Sequence, residues 1–203
     1  MLKFGPVFFL VLSLLACLGQ PHPVKNRFVL ALPAAAPGEA LNAAGRRTLL
    51  VGAVTAAPVY DGRALMYRLG PDRYESDFYN EFLAPPTRLL AEAAADRLTL
   101  ASRLFRATAA PGLAVADYGL EVHILDLYGD FRQRPPWAVL NLRFTLSDLK
   151  PAPPRVALDR FYPCERPLPG RGGAADLVAA YGLCLADILE AVARDLDSTA
   201  GQD

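Results

Sequence analysis

Glu121 and His123 stand two residues apart, so on a strand both would point to one face and could serve as an acid/base pair or as two metal ligands. A metal wants three or four ligands, and the other histidine, His22, lies far away near the N-terminus. A solvated strand face is the simpler reading. Ser13, Ser76, Ser102, Ser147 and Ser198 have no nucleophile-elbow surroundings. Gly170-Arg171-Gly172-Gly173, just ahead of a helical stretch, could offer backbone N–H groups to an anion. No Lys or Ser/Thr follows to complete a phosphate loop, which favours a flexible start to the helix. No catalytic residue, cofactor site or metal site is assigned on this basis. What remains is thiol chemistry, at Cys17, Cys164 and Cys184.

Cys17 stands in Leu14-Leu15-Ala16-Cys17, after one early cation, Lys3, and an apolar run of Phe, Val and Leu. A charged start followed by an apolar stretch too short to cross a bilayer comfortably is a secretory signal. A small residue immediately followed by a thiol resembles the lipobox of bacterial lipoproteins. There the thiol takes a diacylglycerol, the chain is cut before it, and the new amino group is acylated. The expectation is a signal peptide at 1–16 and a lipidated tether at 17–26, whose Pro21, Pro23 and Gly19 discourage helix. Residue 18 is Leu and not Asp, which leans toward the outer membrane of a Gram-negative envelope, periplasm-facing. Three acyl chains bury far more methylene than the single chain that binds only marginally.

In such an oxidising compartment Cys164 and Cys184 are an even pair. They could form a disulfide or be two small buried hydrophobes, and spacing does not choose between them. Basic and acidic residues number 21 each, without the basic excess of a nucleic-acid binder. Chain length suits one domain with a core that needs no staple.

The elements that would position these groups follow from pattern. Arg27–Leu32 reads as a short strand. Thr48–Val54 is a near-continuous apolar run, as in a strand buried on both faces. Ala64–Leu69 is another strand. Tyr74–Phe82 mixes aromatic and polar residues and reads as a lining or a staple ahead of the next helix. Pro86 opens that helix, expected over 86–101, with Leu90, Ala94, Leu98 and Ala101 inward and Glu92, Asp96 and Arg97 in water. Tyr118, Leu120, Val122 and Ile124 alternate with wetter positions, and so do Leu140, Leu142, Phe144 and Leu146. These predict an antiparallel hairpin with a tip at Gly129–Pro136. Arg155–Tyr162 adds a third strand. A final helix is expected from Gly173 to Leu196, with a frayed tail after it. The fold class is α/β: a single domain over 27–197, a mixed β-sheet with an antiparallel meander and two main helices packed on it, ending in a tail at 198–203.

The hairpin tip suits a partner better than a reaction. Phe131, Arg132, Arg134 and Trp137 combine apolar and guanidinium groups of the kind that anchor interfaces. The alternative is a Trp tucked into the core at a strand start.

Lipobox, N-terminal strand, Gly62-Arg63-Ala64-Leu65-Met66-Tyr67-Arg68, then Tyr79-Asn80-Glu81-Phe82-Leu83-Ala84-Pro85-Pro86 opening a helix, then a meander and a C-terminal Ala/Leu helix together resemble the ABC-type transport auxiliary lipoprotein family. Phe82 stands where many members carry Trp. The resemblance implies a non-catalytic role without cofactors. The partners would be a membrane, reached through the anchor, together with an MCE-domain protein and the ABC permease and ATPase of a lipid transport system. Self-association would suit that role. Rival readings are a secretion-system pilot or envelope assembly lipoprotein, and a lipid-anchored hydrolase using Glu121 and His123.

Overall fold

The computed structural model describes residues 24–34, 46–109 and 115–201; Cys17 and the lipobox expected around it lie outside them. In chain order the elements are β1 (Asn26–Phe28), β2 (Arg47–Ala56), a short 3-10 turn (Pro58–Tyr60), β3 (Ala64–Arg68), β4 (Tyr74–Phe82), α1 (Pro86–Ala101), β5 (Phe105–Thr108), β6 (Tyr118–Asp130), β7 (Trp137–Asp148), β8 (Arg155–Pro167) and α2 (Ala174–Ala200).

β6 is the strand on which the sheet is built. Along one side it pairs antiparallel with β7, and β7 with β8, giving the meander. Its other side is shared. The first half pairs parallel with β2, which carries β5 beyond it. The last two residues, Gly129 and Asp130, pair parallel with Tyr67 and Arg68 of β3, which carries β4 and then β1. The sheet is therefore mixed, with eight strands in one layer.

Both helices lie on one face. Leu120, Val122 and Ile124 of β6, with Leu142, Phe144 and Leu146 of β7, are buried against Leu177, Tyr181, Leu185, Ile188, Leu189 and Val192 of α2. Each such aliphatic side chain contributes about 2 kcal/mol by leaving water. α1 covers β2 and β5 beside α2. Cys164 of β8 and Cys184 of α2 are joined, with Cα atoms 5.6 Å apart. The bridge closes a loop of 20 residues, which in the chain-entropy account contributes about 3 kcal/mol.

Several expectations need correction. β2 is not buried on both faces. Leu49 and Val51 are buried, but Gly52, Ala53 and Thr55 are exposed, because the register slips between Val51 and Val54 and the outer face is open there. Tyr74–Phe82 is a strand, β4. Within it Phe82 enters the core near Tyr181, while Phe78 and Tyr79 point to solvent. The short strand β5 went unread. Arg97 is buried at 5 % exposure, because its guanidinium donates to the Pro33 carbonyl at 2.8 Å and faces Glu190. The end of the chain is ordered further than expected: α2 continues to Ala200. Asp197 fixes the turn after α1, accepting from the Ser102 hydroxyl and from the Arg103 and Leu104 N–H groups. Arg47 donates to the Ala200 carbonyl.

At the N-terminal edge one carboxylate gathers three cations. Glu81 is 4 % exposed and lies 3.0 Å from Lys25, 3.2 Å from Arg27 and 3.6 Å from Arg63, fastening β1 to β4. The Lys25 hydrogen bond, then that of Arg27 and the charge of Arg63, hold the Glu81 carboxyl below its ordinary value of 4.5 against the cost of burial. A carboxyl whose value is depressed on folding stabilises the fold fully above its unfolded value and loses that contribution as pH falls through the folded one. Amide exchange in β1 is accordingly expected to speed up below pH 4.5 relative to the rest of the sheet. Glu81→Gln should remove that pH dependence; an unchanged profile in the variant would assign it to another group.

Candidate functional site

The β6–β7 tip is built by its neighbours. β6 runs on to Asp130, so the turn itself spans 131–136. Phe131 folds back over Gly129. A β-carbon on Gly129 would lie 2.8 Å from the Phe131 ring and 3.1 Å from Leu177, so a larger residue there would push the Phe131 ring out of its seat. The Phe131 ring meets Tyr67 edge-on at 5.1 Å, and its N–H donates to the Arg68 carbonyl. Phe131 is thus half-buried and anchors the turn. Arg132 grips Asp130 through Nε at 2.9 and 3.1 Å to the two carboxylate oxygens. That hydrogen bond, against burial, holds the Asp130 carboxyl below its usual range. Trp137 is half-buried opposite Asp130 and Pro167.

The far side of the tip meets the loop ahead of α2. Leu168 N–H donates to the Pro136 carbonyl at 2.7 Å. Gly172 adopts φ +68°, and a β-carbon there would strike Pro136 and Leu168 at 2.7 and 2.9 Å. The two segments frame a groove of about 410 Å³ lined by Phe131, Gln133, Arg134, Pro136, Gly170 and Arg171. Arg134 and Arg171 are exposed, and neither has an ion-pair partner among the described residues. Two unneutralised guanidinium groups beside an apolar ring suit a carboxylate-bearing partner. Arg171 was passed over in the sequence, since nothing local ties it to residue 134. The N–H of the residue capping α2 is already taken, because Gly173 N–H donates to the Asp176 carboxylate at 3.0 Å.

The open sheet face carries the other candidates. His123 Nδ1 and the Thr55 hydroxyl are 2.7 Å apart. Arg143, opposite His123, pairs with Asp159 at 2.7 Å. Glu121 is exposed and makes no hydrogen bond to His123. Their shallow hollow measures about 150 Å³. Among the described residues no three His, Cys, Asp or Glu side chains converge as a metal site, and no helix is long and apolar enough to cross a membrane.

The sequence profile of the ABC-type transport auxiliary lipoprotein components matches residues 28–193, from the end of β1 into the last turns of α2. The chain belongs to that family. Two solved structures share the fold of this auxiliary component. One is an uncharacterized protein, 16 % identical, with a TM-score of 0.69 over 85 % of this chain and 99 % of that one. The other is a DUF330 family protein from Xanthomonas campestris, 20 % identical, with a TM-score of 0.68 over 89 % of this chain and 96 % of that one. A search of curated proteins finds no match to the chain. The matched span contains the whole meander, both groove-forming loops, all of α1, and α2 as far as residue 193. The tip and its groove are therefore part of the auxiliary component's domain and not an appendage to it.

Proposed function

We propose that this auxiliary component is a non-catalytic lipoprotein of the cell envelope, anchored through Cys17 at the outer membrane and facing the periplasm. It would assist an ABC system that moves lipid or another hydrophobic compound with an MCE-domain protein, a permease and an ATPase. The observation that carries the reading is the family match over nearly the entire folded domain. A thiol placed directly behind a small residue and an apolar run supports the anchor. Docking is assigned to the hairpin tip, with Arg134 and Arg171 meeting an acidic segment of the partner and Phe131, Arg132 and Trp137 holding the turn in shape. Self-association belongs to the same proposal.

The deciding experiment is a pull-down from native membranes in mild detergent with the acyl anchor intact. Recovery of the MCE protein with the permease or ATPase is the expected result; recovery of none of them overturns the reading. Arg134→Glu with Arg171→Glu should cut that recovery on the order of tenfold, the scale expected for reversing two charges at an interface, while leaving the melting temperature unchanged. His123→Ala should alter neither recovery nor transport. A loss of transport in that variant, with the fold intact, would instead favour the hydrolase reading.

A further inference from the structure

β4 contains a large bulge. Ala64 pairs with Glu81 and Met66 with Ser76, so the four residues from Asp77 to Asn80 face the single residue Leu65. Bulges re-aim side chains and recur where a strand does something besides pair. This one is braced from below by Asp77. Its carboxylate accepts from the Tyr67 hydroxyl at 2.6 Å, from the Tyr79 and Asn80 N–H groups at 2.8 and 3.0 Å, and from the Asn80 amide at 2.8 Å. The outcome is two adjacent aromatics held in water: Phe78 is 61 % and Tyr79 54 % exposed, with their rings edge to face at 5.2 Å. Nothing in the core needs them there.

Their position bears on what covers them. The Lys25 ammonium sits 5.3 Å from the centre of the Phe78 ring, and Val24 beside it is 85 % exposed. The patch is therefore the place where the N-terminal segment joins the fold. Val24 follows Cys17 by seven residues, which span about 25 Å at full extension. α2 alone, with 27 residues, is about 40 Å long. A domain on so short a tether must turn the surface around Val24 toward the bilayer. That surface carries Lys25, Arg27 and Arg63 against Glu81 and Asp77, a cationic excess suited to anionic headgroups. Aromatic rings with a polar edge or a nearby ammonium favour the headgroup boundary.

We infer that the Phe78–Tyr79 bulge is a lipid-contacting surface that seats the domain on the phospholipid bilayer holding its anchor. The inference rests on lipidation at Cys17. It gives the domain a fixed tilt, with β1 and β4 at the membrane and the far edge of the sheet, β8, away from it.

The test uses the full lipoprotein, purified with its acyl anchor and reconstituted into phosphatidylethanolamine–phosphatidylglycerol vesicles, with or without bromine on the acyl chains. Phe78→Trp is measured in a Trp137→Phe background, or as a difference from the wild-type emission if that background does not fold. Phe161→Trp on exposed β8 is the reference. The expected result is a blue-shifted Phe78→Trp emission that brominated lipid quenches on the order of twofold, with Phe161→Trp unquenched. Equal quenching of the two in protein that floats with the vesicles overturns the inference alone. A blue shift without bromine quenching marks contact with a second copy or a protein partner and also overturns it. Protein that does not float overturns both the inference and the anchor.

Discussion

Cys17→Ala, exported behind an ordinary cleavable signal so that residues 1–16 are removed, is expected to give a folded domain that leaves the membrane fraction and no longer supports transport. The acylation needs a thiolate-forming sulfur at that position, and a methyl group supplies no nucleophile. Each buried methylene of a lipid anchor contributes about 0.8 kcal/mol, so losing every chain removes the whole of the membrane affinity that the anchor provides. Tethering also raises the effective concentration of the domain at its partners, and the variant forfeits that even if its docking surface is untouched. The measurements are fractionation, circular dichroism and a transport assay on the same cells. A variant that stays membrane-bound and active would sink the anchoring role.

Gly182→Ala should be among the most damaging single-methyl changes in the chain. In an exposed helix interior, alanine is better than glycine by about 1 kcal/mol. At Gly182 of α2 the added carbon would lie 2.1 Å from the Ala31 carbonyl oxygen, so backbone has to move. The segment it would push away is the one following β1, held by Leu83 N–H on the Phe28 carbonyl and by Arg97 on the Pro33 carbonyl. Overpacking of this kind costs about 1–3 kcal/mol, enough to override the gain in helix propensity. The expected reading is a melting temperature lower by about 5 °C, with faster amide exchange in β1. A melting point that holds or rises would show that the segment is not seated there.

Where periodicity was local and unbroken, the sequence was read well. α1 begins at Pro86 and ends at Ala101 as its apolar spacing and opening proline require. The β6–β7 hairpin follows from strict alternation. β4 was not recognised as a strand because its bulge interrupts period two between Ser76 and Glu81. β5 has only four residues, too few for any pattern. Arg97 was assigned to water on its charge, yet its partner carbonyl at Pro33 is 64 residues away in the chain. The candidate groove divides in the same way. Phe131 and Arg134 were singled out from composition and line the groove, whereas Arg171 joins Arg134 only through the path of the chain back from β8 to α2.

β1 has a mechanical meaning. It offers three residue pairs to β4, in parallel register, and it is the first strand after the proposed anchor at Cys17. With that anchor in place, any drag of the membrane on the domain would pass through it. Tension along its axis loads those few backbone bonds together, whereas tension across it would peel them one by one. In either direction a three-rung ladder yields early. The Glu81 carboxylate, with Lys25 just ahead of the strand, Arg27 within it and Arg63 just ahead of β3, acts as a shear pin. With the chain anchored at Cys17 as proposed, a pull on the tether would load that ionic clasp and the β4 bulge that shares it before the rest of the sheet, while the covalent chain still joins the domain to its anchor.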